Sequence, residues 1–207
     1  MTTSLDSNDK TFDFENLGLT TGSRFNATGP LLTFLTELHA LTRDHKNCYP
    51  VALNHLHFSF LAISSLIFSD LESMPIELKN LYPVVTKNLE DLEWSLADLQ
   101  LKWAGHSLIL VGSANYQANS ARAQLAEDIL SGPCAEFIKE RYQGYSIPPT
   151  QWHATLLRCK NDIPDSVKAL VKKVGRSIFS SIALGTPTLL AVNLDWSKTF
   201  PVGKNNL

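Results

Sequence analysis

The 207-residue sequence predicts an α+β protein built from two halves of similar design. Its composition, 44% hydrophobic and 18% charged, is typical of a globular chain. Stretches with helical spacing of apolar residues alternate with stretches of period two, which are typical of strands. The same order of helix, strand, helix, strand and strand occurs twice, without strong internal sequence identity. The length corresponds to about 1.4 typical domains, so we expect one domain of two lobes.

The predicted domain organisation starts with an arm. Residues 1–27 are rich in Thr, Ser, Asn and Asp, and we expect them to form a loose polar segment. The domain then spans residues 28–207, with lobe one at about 28–115 and lobe two at about 116–207.

Turn residues and apolar periodicity define the elements of the first half. Pro30 lies near the start of a run with helical spacing, where proline is favoured. Gly105 separates two strand-like runs, which predicts a hairpin. The predicted elements of this half are helices at 28–41 and 73–92, and strands at 53–62, 97–103 and 107–112.

The second half repeats this order. Asn119 is a candidate cap for its first helix, and Gly132 and Pro133 should end that helix. The last helical stripe extends to Ile178. The predicted elements are helices at 119–130, 133–142 and 162–178, and strands at 151–159, 182–184 and 189–196.

Charge and cysteine content exclude several classes of protein. Eighteen basic and twenty acidic residues give a formal charge of −2, unlike proteins that coat DNA or RNA. We therefore expect no duplex DNA binding, although a nucleotide or short oligonucleotide remains compatible. No apolar stretch approaches the ~20 residues of a membrane span, and the three cysteines lack metal-site spacing. A cytoplasmic monomer without membrane contact is the expectation.

Two short motifs occupy equivalent strands of the two halves. They are His57-Phe58-Ser59 and His153-Ala154-Thr155. Residues i and i+2 of a strand share a face, so each histidine should project together with its hydroxyl residue. The intervening residues are apolar and should face the core. If the halves pack about a pseudo-two-fold axis, the two pairs meet across a cleft.

Two imidazoles and two hydroxyls suit phosphodiester chemistry without a metal. One neutral histidine can accept a proton and one protonated histidine can donate one, because imidazole titrates near pH 6.5. The hydroxyls of Ser59 and Thr155 can donate to phosphate oxygens as charge develops. We therefore predict His57 and His153 as catalytic residues, and Ser59 and Thr155 as substrate-binding residues.

The paired motifs resemble those of the 2H phosphoesterase superfamily. This resemblance implies a bilobal α+β fold, with two pseudo-symmetric antiparallel sheets facing a central cleft and helices outside. It also implies an enzyme that hydrolyses a cyclic phosphate or a 2′-linked nucleotide phosphodiester, such as an RNA end or a nucleotide-derived small molecule. No cofactor is expected.

Three further residues bear on the site. Tyr145, in the loop before the second motif, is a candidate to stack on a base. Arg158 is the nearest basic residue to that motif, but strand parity directs it away from His153 unless a bulge intervenes. His55 and His57 lack a suitably spaced third ligand nearby, so no metal is expected.

Two other functions remain open. A non-catalytic nucleotide-binding module could use the same cleft, although one donor and one hydroxyl would suffice to hold a phosphate. RNA end-joining, the reverse of cyclic-phosphate opening, could use the same acid and base.

Overall fold

Two antiparallel sheets with helices packed around them make up the protein, which confirms the predicted α+β fold. The computed structural model describes residues 14–175 and 181–203. The strands are β1 (Gly18–Arg24), β2 (Cys48–Pro50), β3 (His57–Ala62), β4 (Trp94–Ala104), β5 (Ser107–Ala114), β6 (Trp152–Cys159), β7 (Ile182–Leu184), β8 (Thr188–Val192) and β9 (Thr199–Pro201). The helices are α1 (Gly29–Thr42), α2 (Ile76–Lys79), α3 (Tyr82–Leu89), α4 (Tyr116–Leu130), α5 (Ala135–Arg141) and α6 (Asp165–Val174).

The two sheets do not correspond to the two halves of the chain on either side of residue 115. The four-stranded sheet has the order β3-β1-β8-β9, and the five-stranded sheet has the order β2-β6-β5-β4-β7. Each sheet therefore takes strands from both halves of the sequence. The motif strand β3 lies at a sheet edge, whereas β6 lies between β2 and β5. The predicted division into two lobes at about residue 115 therefore does not match the composition of the sheets.

Strand β1 contradicts the expected loose arm for Gly18–Arg24, whereas residues 1–13 of that predicted arm lie outside the described residues. Six of its seven residues are buried, because β3 and β8 pair with it on either side. The buried hydroxyls of Thr20 and Thr21 both donate to the Leu61 carbonyl, 3.2 Å away. These bonds satisfy polar groups that would otherwise be costly to bury. Gly, Thr and Ser supply most of this strand, which explains why its pattern resembled a polar segment.

Several element boundaries also differ from the predictions. The predicted helix at 73–92 is divided into α2 and α3, and Pro83 lies in the first turn of the latter. Asn115 caps α4 through a 2.9 Å bond from the Ala118 amide, so the cap is not Asn119. The chain turns after β8 before reaching Trp196, which is not in a strand. Ile178 lies outside the described residues.

The predicted strand at 53–62 begins only at His57. Residues Leu53–His55 form a short 3-10 turn instead. His55 therefore does not share a strand face with His57, and it enters the site through its carbonyl group, as described below.

The core lies where the two sheets meet. Phe60 of β3 contacts both Trp94 of β4 and Trp152 of β6, with ring centroids 5.3 Å apart in each case. Phe58 and Ala154 are also buried on the core faces of their strands. This packing holds β3 against β6, so the two motifs belong to adjoining strands of different sheets. Within the described residues, no helix has the length and apolar character needed to cross a membrane.

Candidate active site

His57 begins β3 and is held in one orientation by the backbone that precedes it. Its Nδ1 lies 2.8 Å from the His55 carbonyl oxygen. A carbonyl can only accept, so Nδ1 carries the proton and donates it to this bond. The lone pair of the neutral ring is consequently on Nε2, where it is available to accept a proton.

The ring of His57 is also stacked on an indole that sequence reasoning missed. The rings of His57 and Trp196 are 4.0 Å apart between centroids and 6° from parallel. Arg24 fixes the turn that supplies this indole, because its Nη2 donates to the Trp196 carbonyl and to Thr199 Oγ1. A Cβ at Gly22 would lie 2.7 Å from the Trp196 Cη2, so a side chain there would displace the indole. Gly22 and Arg24 of β1 thus keep the indole of Trp196 in contact with His57.

Burial keeps His57 neutral. Loss of hydration is the main cause that lowers its pKa, to about 3, and the His55 carbonyl opposes this in part. The charges of Arg158, His153 and Arg24 lower the pKa further. Below neutral pH the imidazole therefore still has its Nε2 lone pair, as a general base requires.

His153 lies on β6, opposite Val111 of β5, and its side chain is exposed to solvent. Its pKa is lowered to about 4, mainly by loss of hydration and in addition by the charges of Arg122, Arg158 and Arg141. Because the charge of His153 also lowers the pKa of His57, the two rings are within electrostatic range. An anionic phosphate beside them would raise both pKa values, since opposite charge favours the protonated form.

The two motif hydroxyls follow the predicted strand parity. Thr155 lies opposite Ile109, two positions along β5 from Val111, and therefore shares the His153 face. Its side chain is 7% exposed. Ser59 is half-buried and pairs with Gly22 of β1, while its neighbours Phe58 and Phe60 are fully buried in the core.

A β-bulge in β6 brings Arg158 into the site and corrects the parity argument against it. Thr155 pairs with Ile109 and Leu157 pairs with Leu108, which leaves Leu156 as an extra residue. The bulge shifts the alternation by one position, so Arg158 returns to the face of Thr155. Its Nη2 lies 3.4 Å from the Thr155 Oγ1, and within the described part of the chain its buried Nε has no hydrogen-bond partner. A guanidinium in this position can bind phosphate oxygens.

Tyr145 is in the loop between α5 and β6 and is 80% exposed. Its amide donates to the Tyr142 carbonyl, which fixes the backbone of the loop. Its role in stacking on a base stays a prediction. In the part of the chain that the structure describes, no three His, Cys, Asp or Glu residues are grouped to hold a metal ion.

Comparisons with known proteins show similarity in structure alone. No protein-family model and no curated protein sequence matches the chain. A solved phosphoesterase structure matches with a TM-score of 0.56 and 14% identity, over 90% of this chain and 96% of that one.

Two bacterial structures are also similar. The TT0787 protein of Thermus thermophilus gives a TM-score of 0.50 at 15% identity, over 89% of this chain and 97% of that one. Escherichia coli LigT in complex with 3′-AMP gives a TM-score of 0.50 at 17% identity, over 91% and 97%. The chain therefore has the bilobal α+β fold of LigT-like phosphoesterases over nearly its whole length.

Proposed function

We propose that this protein is a metal-independent phosphodiesterase that hydrolyses a cyclic phosphate or a 2′-linked nucleotide phosphodiester. The observation that supports it most is the pairing of two imidazoles of different environment, His57 and His153, beside the Arg158 guanidinium. The fold similarity to phosphoesterases, one of them solved with 3′-AMP, supports a nucleotide substrate.

In the proposed mechanism His57 is the general base. Its Nε2 accepts a proton from water, while the water oxygen forms the new bond to phosphorus. The Nδ1 bond to the His55 carbonyl keeps the correct nitrogen free and becomes stronger as the ring gains charge. Its stacking on Trp196 limits rotation of the ring, so little entropy is lost on reaching the reactive geometry.

His153 is the proposed general acid. The bound phosphate raises its pKa, and the protonated ring donates to the leaving oxygen as the bond to phosphorus breaks. Arg158 and the hydroxyls of Ser59 and Thr155 stabilise the charge on the non-bridging oxygens. Proton exchange with solvent then restores both histidines.

Hydrolysis of matched substrates tests this proposal. Adenosine 2′,3′-cyclic phosphate and 2′-5′- and 3′-5′-linked adenylyl-adenosine would be incubated with the enzyme in excess chelator. We expect turnover of the cyclic or the 2′-5′ compound, and losses of about 10²–10⁴-fold for His57→Ala and for His153→Ala. The control is His106→Ala, at an exposed turn between β4 and β5.

Two results would contradict the proposal. Binding of these compounds without turnover would favour the nucleotide-binding module. Joining of RNA ends that bear a 2′,3′-cyclic phosphate and a 5′-hydroxyl, without net hydrolysis, would favour the end-joining alternative.

A further inference from the structure

Cys48 and Cys159 bring two free thiols into contact in the interior of the protein. Their sulfur atoms are 2.8 Å apart, although the residues are separated by 111 positions in the sequence. Both side chains are buried, with 8% of Cys48 and 3% of Cys159 exposed. The third cysteine lies elsewhere, since the Cys134 Sγ donates to the Glu77 carbonyl oxygen. The tertiary structure thus places two of the three thiols against each other.

The two cysteines lie directly opposite each other on adjacent antiparallel strands, where Cys48 begins β2 and Cys159 ends β6. The Cys48 amide donates to the His45 carbonyl group. The Cys159 amide donates to the His106 carbonyl group, so neither amide is directed at the opposite cysteine. Opposed residues that exchange no hydrogen bonds have Cα atoms ~4.5 Å apart, with their side chains close together. A disulfide spans Cα separations of about 4.4–6.8 Å, so this pair is placed for one.

The position of β2 favours Cys48 as the thiol that reacts first. This strand has three residues and lies at the edge of the five-stranded sheet. Peripheral elements with few contacts open locally more readily than the centre of a fold, which admits a small oxidant to Cys48. Burial raises the pKa of the Cys159 thiol and keeps it protonated. Because the thiolate is the reactive form, Cys159 is suited to complete a bond that Cys48 begins.

We propose that Cys48 and Cys159 are a redox site, which forms a reversible disulfide when the protein meets hydrogen peroxide. The Cys48 thiolate attacks one peroxide oxygen, the O–O bond breaks, and a sulfenic acid and hydroxide result. The Cys159 sulfur then attacks the sulfenic sulfur. The S–O bond breaks, and the hydroxide leaves with the Cys159 proton as water. The thiol pair loses two electrons, and the peroxide is reduced to two water molecules. An external dithiol restores both thiols by exchange.

The disulfide links the edge strand β2 to the motif strand β6 at the residue after Arg158. The strand register that the bond requires is already present, so Arg158 and Thr155 keep their positions. A link between residues so far apart in sequence also restricts the unfolded chain, and this restriction stabilises the folded protein. The alternative is that the two thiols only fill the core as small apolar groups.

Peroxide treatment of the wild-type protein tests the pair without any measurement of turnover. After free thiols are blocked, peptide mass spectrometry should show Cys48 joined to Cys159, with Cys134 still free. The melting temperature should rise by about 5–15 °C and return to its original value with dithiothreitol. Free Cys48 and Cys159 under conditions that fully oxidise glutathione, or a sulfinic acid in place of the link, would overturn the proposal. A link without a rise in melting temperature would refute its stabilising role.

Substitutions assign the effect to the two residues. Cys48→Ala should abolish the shift in melting temperature, and Cys159→Ala should leave a sulfenic acid at Cys48 that dimedone traps. The matched control is Cys134→Ala, which removes the other buried thiol and should keep both the link and the shift. A shift that survives Cys48→Ala would refute the assignment. If an alanine variant fails to fold, the cross-link in the wild-type protein decides the result. Because no readout uses phosphodiester hydrolysis, this inference and the proposed function fail separately.

Discussion

The buried, neutral state of His57 should make the protein sensitive to acid. Its pKa is about 3 in the folded protein, compared with 6.5 for an exposed histidine. Below pH 6.5 the unfolded chain binds a proton that the folded protein does not, so unfolding becomes more favourable as the pH falls. The stabilisation by His57 is complete above pH 6.5 and is lost as the pH falls toward 3.

The size of this effect follows from the two pKa values. Between about pH 7.5 and pH 4.5, protonation of His57 in the unfolded chain lowers the free energy of unfolding by about 3 kcal/mol, because each pH unit below 6.5 contributes ~1.4 kcal/mol. The His57→Gln variant lacks this pH-dependent contribution and keeps the other titrating groups. The free energy of unfolding of the wild type should therefore fall by about 3 kcal/mol more than that of the variant over this range.

Urea denaturation at a series of pH values, followed by circular dichroism, measures the difference. A general loss of stability in His57→Gln does not matter, because the prediction concerns the slope with pH. The control is His106→Gln at the exposed turn, which should keep the wild-type slope. Parallel curves for the wild type and His57→Gln would show that the pKa of His57 is the same in the folded and the unfolded protein, and the argument that burial keeps this base neutral would be wrong.

Four further predictions concern packing and catalysis. Phe58→Ala should cost about 3–5 kcal/mol of stability in denaturant melts, with nearly normal turnover in the folded fraction; a mild effect would mean that β3 is inverted. Trp196→Leu should lower kcat by about 10–100-fold and raise the pKa of His57 measured by NMR, because water then reaches the ring; unchanged values would exclude a positioning role. The ratio kcat/KM should fall about tenfold per unit above pH 5, since the pKa of free His153 is about 4; a flat profile to pH 9 would contradict its role as the acid. Activity should persist in excess chelator, and loss that only added zinc restores would refute the mechanism.

Local periodicity was sufficient to predict the orientation of the motif residues. Phe58 and Ala154 are buried in the core, while Ser59 and Thr155 occupy the opposite faces of the same strands. This prediction succeeded because alternation along a strand depends only on backbone geometry within a few residues. Helix α1 was predictable for a similar reason, since Pro30 and the spacing of its apolar residues are local features.

Arg158 was excluded for a reason that holds only in a regular strand. The extra residue Leu156 arises from the pairing of β6 with β5, and nothing within β6 itself indicates a bulge. Trp196 was missed because its place against His57 depends on the turn after β8 and on Arg24 of β1, both distant in sequence. A tryptophan in a polar turn gives no sequence pattern that points to a histidine on another strand.

The sequence by itself determined the approximate positions of the helices, apart from the division of 73–92 into α2 and α3, and which faces of the two motif strands carry imidazole and hydroxyl groups. These properties depend on spacing along the chain. The tertiary structure alone decided that β1 is buried between β3 and β8, that Arg158 joins Thr155, and that Trp196 covers His57. It also decided that His57 is buried and neutral. Those properties depend on which distant segments exclude water from a side chain, because hydration sets the energy of a charge.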